Sequence, residues 1–322
     1  MSSERSGSNL ITKLFDSHPE FCGPAPTHMI RLIAQNYLNY SDFSDDKNWQ
    51  VFILDIYNYL QYLLGDLHVS FELEELLNLI PRTTKRIIEY VYTKESQSQG
   101  KDYVFVKENR VFQFLPYLLS NFPESKYVYL VRDPRDVCLS FRKAKNIPVG
   151  LKSGLEIWLR DQTEFIKNYG FLKESDKIIY IKYEDLINDV QKQLNKVCEF
   201  LGVDYSPNML NFYSSDIARL NADKWQEWQN LNKPLMINNF NKFKIELKPF
   251  EVKYIEQHSR KLMEFFQYKL EYDPHELVTD KELQLIDCND EVTIKDKKEV
   301  GMSIKRKKRI EIINQVISRK LY

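Results

Sequence analysis

The sequence predicts an α/β protein: a parallel sheet with helices on both faces. Short, continuously apolar runs rich in β-branched and aromatic residues, at Tyr103-Val-Phe-Val106, Tyr127-Val-Tyr-Leu-Val131 and Lys177-Ile-Ile-Tyr-Ile181, read as buried parallel strands. Segments of helical periodicity at about Phe112–Asn121, Pro134–Arg142 and Gly154–Tyr169 alternate with them, which implies βαβ units. From Thr27 to about Ser98, apolar residues recur at three- and four-residue spacings (Ile30, Ile33, Tyr37; Phe52, Ile56, Tyr59, Leu63). That block predicts consecutive amphipathic helices, a helical insertion rather than simple connections.

The remaining elements follow in chain order. A polar start gives way to an apolar helical pattern at Leu10, Ile11, Leu14 and Phe15, with Ser8 or Asn9 as the expected N-cap. Ser17-His18-Pro19 marks its end, and Cys22-Gly-Pro-Ala-Pro26 reads as a rigid loop. Asp185–Leu201 reads as one amphipathic helix closed by Gly202. Residues 291–322 hold ten Lys/Arg against four Asp/Glu, including Lys305-Arg-Lys-Lys-Arg309. There Ile310, Ile313, Ile317 and Leu321 suggest the apolar side of a last helix; a solvated or packed charged extension fits this better than an acidic partner.

Composition narrows the function. The 322 residues balance 46 Lys+Arg with 46 Asp+Glu, which argues against a dedicated nucleic-acid binder. Cys22, Cys138, Cys198 and Cys288 form no CxxC pair, so neither a zinc site nor a disulfide framework is expected, and reduced thiols in the cytoplasm are. No apolar run approaches a membrane span and no secretory leader opens the chain.

Three segments carry chemistry. Arg5-Ser6-Gly7-Ser8-Asn9 opens a helix; its glycine and small hydroxyl residues let backbone N–H groups converge, and the helix N-terminus adds partial positive charge, which suits a phosphate. It is not the nucleotide triphosphate loop, because Gly-x4-Gly-Lys-Ser/Thr is absent. Arg132 ends a strand and Ser140 follows eight residues later in the next helix, where open sheets bind ligands. The bland alternative is that Arg132, Asp133, Arg135 and Asp136 pair among themselves. Tyr183-Glu184-Asp185 runs from a strand into a helix, with Tyr183 able to stack on a base and Asp185 to cap the helix.

Together the three segments resemble the sulfotransferase family that uses 3′-phosphoadenosine 5′-phosphosulfate (PAPS), over approximately residues 4–270. The stretch Ser8-Asn-Leu-Ile-Thr-Lys-Leu-Phe-Asp-Ser-His-Pro-Glu20 is most similar to members acting on carbohydrates, proteins and bacterial metabolites. The resemblance implies a P-loop-type sheet in a domain spanning residues 1–275, with residues 27–98 as a helical lid around the acceptor and 276–322 as an extension. It implies that Arg5, Ser6, Gly7, Ser8 and Asn9 cradle the 5′-phosphosulfate, that Arg132 and Ser140 hold the 3′-phosphate in a second, separate pocket, and that Tyr183 lies near the adenine. No metal is implied. The acceptor is a small molecule, carbohydrate or peptide, and a homo-oligomer stays open.

The sequence departs from the family at several points. Only four residues precede Arg5, so either the written start is late or the loop lacks its full supporting strand. The Arg-Lys-Gly run that adds a 3′-phosphate contact is missing; Asn238-Asn-Phe-Asn-Lys242-Phe-Lys244 stands there, with Lys242 as a substitute. Where related members place a catalytic glutamate, this chain has Ala25 and Pro26, and where cytosolic members place a catalytic histidine it has Asn109. The base is therefore His28 or its rival Glu108, with Lys107 assisting at the transferred group and Arg5 at the leaving oxygen. Two further readings remain: an inactive nucleotide-binding or scaffold descendant, and a small-molecule kinase, which the missing Lys-Ser/Thr pair disfavours.

Overall fold

The computed structural model describes residues 1–214, 230–299 and 302–321. Residues 215–229 of the expected domain, and 300, 301 and 322 of the expected extension, lie outside them. The helices are α1 Ser8–Asp16, α2 Met29–Asn36, α3 Asp46–Gln61, α4 Leu73–Leu77, α5 Thr84–Gln97, α6 Leu115–Asn121, α7 Pro134–Lys143, α8 Leu151–Glu174, α9 Tyr183–Asn188 and α10 Val190–Leu201, then α11 Phe243–Glu246, α12 Pro249–Phe265, α13 Asp280–Glu299 and α14 Ile304–Ser318. The strands are β1 Phe21–Cys22, β2 Tyr103–Val104, β3 Tyr127–Val131 and β4 Ile178–Lys182. Two units divide the chain: Met1–Ser8, Lys126–Tyr205 and Leu235–Gly301 make the first, and Asn9–Ser125, Ser206–Pro234 and Met302–Tyr322 the second.

In the first unit β3 and β4 pair in parallel, from Tyr127 opposite Ile178 to Val131 opposite Lys182. All five residues of β3 are buried, which explains why its sequence is apolar without alternation. Ser2 adds a parallel bridge to Leu130, whose N–H donates to Met1 O at 2.9 Å. The residues ahead of Arg5 are held further by the Met1 amine, which donates to Val128 O at 2.5 Å, and by Ser3 Oγ, which donates to Asp161 Oδ2 at 3.0 Å. Asp133 caps α7 by accepting from the Arg135 N–H, and Pro134 stands at the first helical position, where its missing N–H costs nothing. Cys138, Leu139, Leu151, Leu155, Phe243 and Ile255 form one core beneath α7 and α8.

The helix read as Asp185–Leu201 is two helices. Asp189, with φ −144° and ψ 73°, breaks the run and caps α10 through the Lys192 N–H; Gly202 closes it in the left-handed region. Since α9 already begins at Tyr183, Asp185 lies in its first turn and is not the cap.

In the second unit β1 pairs in parallel with β2, Phe21 opposite Tyr103 and Cys22 opposite Val104. The sequence reading placed Cys22 in a loop and extended β2 to Val106. The Gly23-Pro24-Ala25-Pro26 stretch that follows lacks the donors for a longer ladder, so pairing stops after two residues. Helix α1 starts at Ser8, so Ser8 and Asn9 sit in its first turn rather than at the N-cap.

The 27–98 block is helical as expected, and α14 packs against it. The buried side of α14 is Arg309, Ile312 and Val316, while Ile310 and Ile317 are exposed. Polar contacts set this face. Asp55 of α3 accepts from Arg319 Nε at 2.8 Å, Arg319 Nη2 at 2.9 Å, Gln315 Nε2 at 2.8 Å and Tyr40 OH at 2.8 Å.

Helix α8 depends on a remote cap. Asp290 of α13 accepts from the N–H groups of Leu151 at 2.6 Å and Lys152 at 2.8 Å. A Cβ at Gly150 would lie 2.4 Å from the Asp290 carboxyl carbon, so only glycine admits that carboxylate. Replacing Asp290 with Ala should cost about 1–2 kcal/mol and lower Tm by several degrees, with Asp290→Asn retaining most of the stability. Thermal unfolding followed by circular dichroism measures both.

Candidate active site

The loop ahead of α1 is built from unusual backbone. Arg5 has φ 66° and Gly7 φ 89°, both in the left-handed region. At Gly7 a Cβ would meet the Tyr183 ring at 2.4 Å, so that approach requires glycine. Ser6 is fully buried, and its Oγ has no hydrogen-bond partner. Asn9, in the first turn of α1, likewise carries a buried Oδ1 without a partner.

Arg132, at the end of β3, reaches the same loop. It is 8% exposed; Nη1 donates to Arg5 O at 3.2 Å and Nη2 to Asn239 O at 3.0 Å, while Nε is buried with no partner. Its guanidinium lies 4.4 Å from the centre of the Tyr183 ring. Among the described residues no carboxylate comes within ion-pairing distance of it. The pairing that the sequence left open goes to Arg135 instead, which binds Asp133 at 2.6 Å and Glu256 at 2.5 Å. Asp136 is used up as well, accepting from the N–H groups of Asn241 and Phe243. Burial raises the pKa of the Asp136 carboxyl, and the Arg132 charge opposes that rise.

The N-terminal loop and the Arg132–Ser140 pair, expected from the sequence to line separate anion pockets, are in direct contact here. Arg5 Nε donates to Ser140 Oγ at 3.0 Å, so the long arginine side chain links the loop to α7. Tyr183 is 3% exposed, its ring engaged by Gly7 and Arg132 and its hydroxyl accepting from Asn239 Nδ2 at 2.7 Å. It is therefore a wall for Arg132 rather than an open stacking platform. The Asn238–Lys244 stretch does reach this cluster, through Asn239 rather than Lys242.

In the second unit the two rival bases form a pair. His28 Nδ1 lies 3.2 Å from Glu108 Oε2. His28 holds the N-cap position of α2 at φ 57° but makes no cap bond of its own; Glu108 caps the helix instead, Oε1 accepting from the Ile30 N–H at 3.2 Å. Burial lowers the imidazole pKa below its usual 6.5, partly offset by Glu108, so the ring is neutral at pH 7. With Nδ1–H donating to the carboxylate, the Nε2 lone pair is the basic site. Lys107 is half-buried, and its charge contributes to keeping the imidazole neutral.

Two cations were missed, each within the charged C-terminal region. Lys297 of α13 donates to Phe141 O at 2.7 Å and Val149 O at 2.6 Å; burial lowers its pKa to about 8, and Arg5 acts in the same direction. Arg309 of α14 is 4% exposed and donates through Nη2 to Thr27 O at 2.7 Å and to the Tyr59 hydroxyl. A run of five basic residues gives no sign of which one turns inward. Among the described residues no His/Cys/Asp/Glu group has the arrangement of a metal site.

These contacts set an expectation for the loop. Gly7→Ala must adopt φ 89° and displace the Tyr183 ring, so it should cost roughly 1–3 kcal/mol. A Tm unchanged within a degree would contradict this.

Comparison with known proteins fits this geometry. The profile of the Sulfotransferase family matches residues 1–207. The 3-alpha-hydroxysteroid sulfotransferase of Cavia porcellus is 30% identical over 120 residues, 31% of this chain and 41% of that protein. Sulfotransferase 2A2 of Rattus norvegicus is 28% identical over 132 residues, 36% of this chain and 46% of that protein. The chain thus spans less than half the length of these curated relatives. In structure it resembles the sulfotransferase domain of the Synechococcus PCC 7002 olefin synthase, with a TM-score of 0.59 at 22% identity over 84% of this chain and 93% of that one. The sulfotransferase domain of the curacin biosynthetic pathway gives 0.57 at 20% identity, over 84% and 96%. These neighbours establish the P-loop-type fold. With the profile covering well over half of its length, the chain belongs to the sulfotransferase family.

Proposed function

We propose that the protein moves a sulfuryl group from PAPS to a hydroxyl, or an amine, of an acceptor by in-line displacement. The observation that carries this reading is Arg132: a buried guanidinium beside the N-terminal loop, with no carboxylate at ion-pairing distance among the described residues and its Nε–H left without a partner. A buried charge left so is costly unless an anion completes it. The buried, unpartnered Ser6 Oγ, in a loop that leads into the N-terminus of α1, suits a phosphate there. The hydroxysteroid in the name of the Cavia porcellus relative points to hydroxyl acceptors. We place the enzyme in the cytoplasm because none of its four cysteines forms a disulfide.

PAPS supplies the sulfuryl group and a stable leaving group. Arg132 and Ser140 hold the 3′-phosphate, and Tyr183 keeps the guanidinium in place. Ser6, Gly7, Ser8 and Asn9 bind the 5′-phosphosulfate. As the acceptor oxygen bonds to sulfur, the S–O bond to the 5′-phosphate breaks and its electron pair stays on the bridging oxygen, where Arg5 stabilises it. His28 Nε2 takes the acceptor proton; Glu108 orients the ring and stabilises the imidazolium that forms. Lys107 adds positive charge near the transferred group.

A scaffold descendant would bind 3′-phosphoadenosine 5′-phosphate (PAP) without transferring label, and a kinase would label acceptors from ATP. The expected results differ from both. PAP should raise Tm, and radioactive PAPS should label a hydroxyl acceptor. Arg132→Ala should weaken PAP binding on the order of 10- to 100-fold. His28→Asn, which tolerates the left-handed backbone, should lower kcat by roughly 10²–10⁴ with little change in PAP affinity.

The pH dependence has a definite sign. Because the folded imidazole resists protonation, the acid limb of kcat/KM should fall below pH 6.5. The unfolded chain takes up that proton near pH 6.5, so this contribution to stability is complete above 6.5 and declines as pH drops towards the folded value. In His28→Asn the Tm should depend less steeply on pH between 7 and 5.

A further inference from the structure

The second unit contains a buried cation that the proposed chemistry does not use. Arg309 donates from Nη2 to Thr27 O, the carbonyl of the peptide leading into His28, and to the Tyr59 hydroxyl, and its guanidinium lies 4.6 Å from the Tyr59 ring centre. Its Nη1 is buried without a partner, and among the described residues no carboxylate reaches ion-pairing distance. Burial lowers its pKa, and Arg31, also within electrostatic reach, acts in the same direction. Glu108, the carboxylate that opposes these effects, is already shared between His28 and the Ile30 N–H. Among the described residues, the cations Arg309 and Arg31 both act on the surroundings of the single Glu108 carboxylate.

We propose that Arg309 binds an oxyanion carried by the acceptor, a carboxylate or a phosphate monoester, and so brings the acceptor's hydroxyl to His28. Two contacts and a ring already fix the guanidinium, which leaves Nη1 as the N–H for the incoming oxygen. A desolvated N–H with no partner costs free energy that an oxyanion recovers, whereas a neutral acceptor leaves it unmet. The acceptor class is thus hydroxy acids or hydroxylated phosphate esters rather than neutral alcohols. The fate of the hydroxyl rests on the sulfotransferase reading; the binding of the anion does not.

The test uses the full chain and three probes: 4-hydroxyphenylacetate, its methyl ester and 4-hydroxyphenyl phosphate. Calorimetry reads affinity without donor, and labelled PAPS reads kcat/KM. One or both anions should bind about tenfold or more tightly than the ester, with the preferred anion distinguishing carboxylate from phosphate. Arg309→Gln should bring the ratio of anion to ester affinity close to one, and Arg309→Lys should recover part of it. Equal affinities in the wild-type protein, or binding of none of the three, overturn the proposal, and this comparison stands even where Arg309→Gln does not fold. A folded Arg309→Gln that keeps the preference overturns it too. An Arg309-dependent preference for an anion without PAP binding or transfer supports the Arg309 site and overturns only the donor reading.

Discussion

A guanidinium withdrawn from water without a carboxylate beside it is the interaction on which the first unit turns. Among the described residues the nearby acids are committed elsewhere: Asp133 to the start of α7 and to Arg135, Glu256 to Arg135, Asp136 to two backbone N–H groups of the 241–243 turn, and Glu184 to the Asp133 N–H and the Tyr268 hydroxyl. Among the described residues the network leaves Arg132 without an ion pair, though its charge still acts on the Asp136 carboxyl. A replacement that offered Arg132 a carboxylate would fill the place proposed for an external anion.

The second unit repeats the device with different parts. Arg309 is held by a carbonyl, a hydroxyl and an aromatic face, all neutral groups, so its charge is positioned without being cancelled. The pair beside it divides labour between its members. Glu108 closes the N-terminus of α2, a structural task, and by the same placement orients His28. The left-handed backbone at His28 shows that the position is fixed by its surroundings rather than by local preference.

What the sequence revealed follows from how far each signal reaches. Strand β3 was legible residue for residue because a fully buried strand is a bare apolar run bounded by charge. Strand β1 was not, since two residues have no periodicity and only the partner strand defines them. His28 and Glu108 were each found from local context, but 80 positions separate them, and no pattern in one dimension announces that rivals are partners. The inward face of α14 was misjudged for a related reason. Apolar spacing pointed to Ile310 and Ile317, whereas hydrogen bonds from Arg309 and the Arg319–Asp55 ion pair decide which side is buried. Lys297 and Arg309 were hidden inside a basic composition that reads as solvated.

The family profile matches residues 1–207, yet α14 delivers Arg309 to the peptide beside His28 and Arg319 to Asp55. A gene shortened to the matched region would encode a polypeptide in which the Tyr59 hydroxyl loses its donor, Thr27 O keeps only the Tyr59 hydroxyl of its two donors, and Asp55 loses its counter-ion. Such a fragment would be a poor substitute for the full 322 residues in screening or crystallisation, since it would also lose the bond from the Leu321 N–H to Asn39 O.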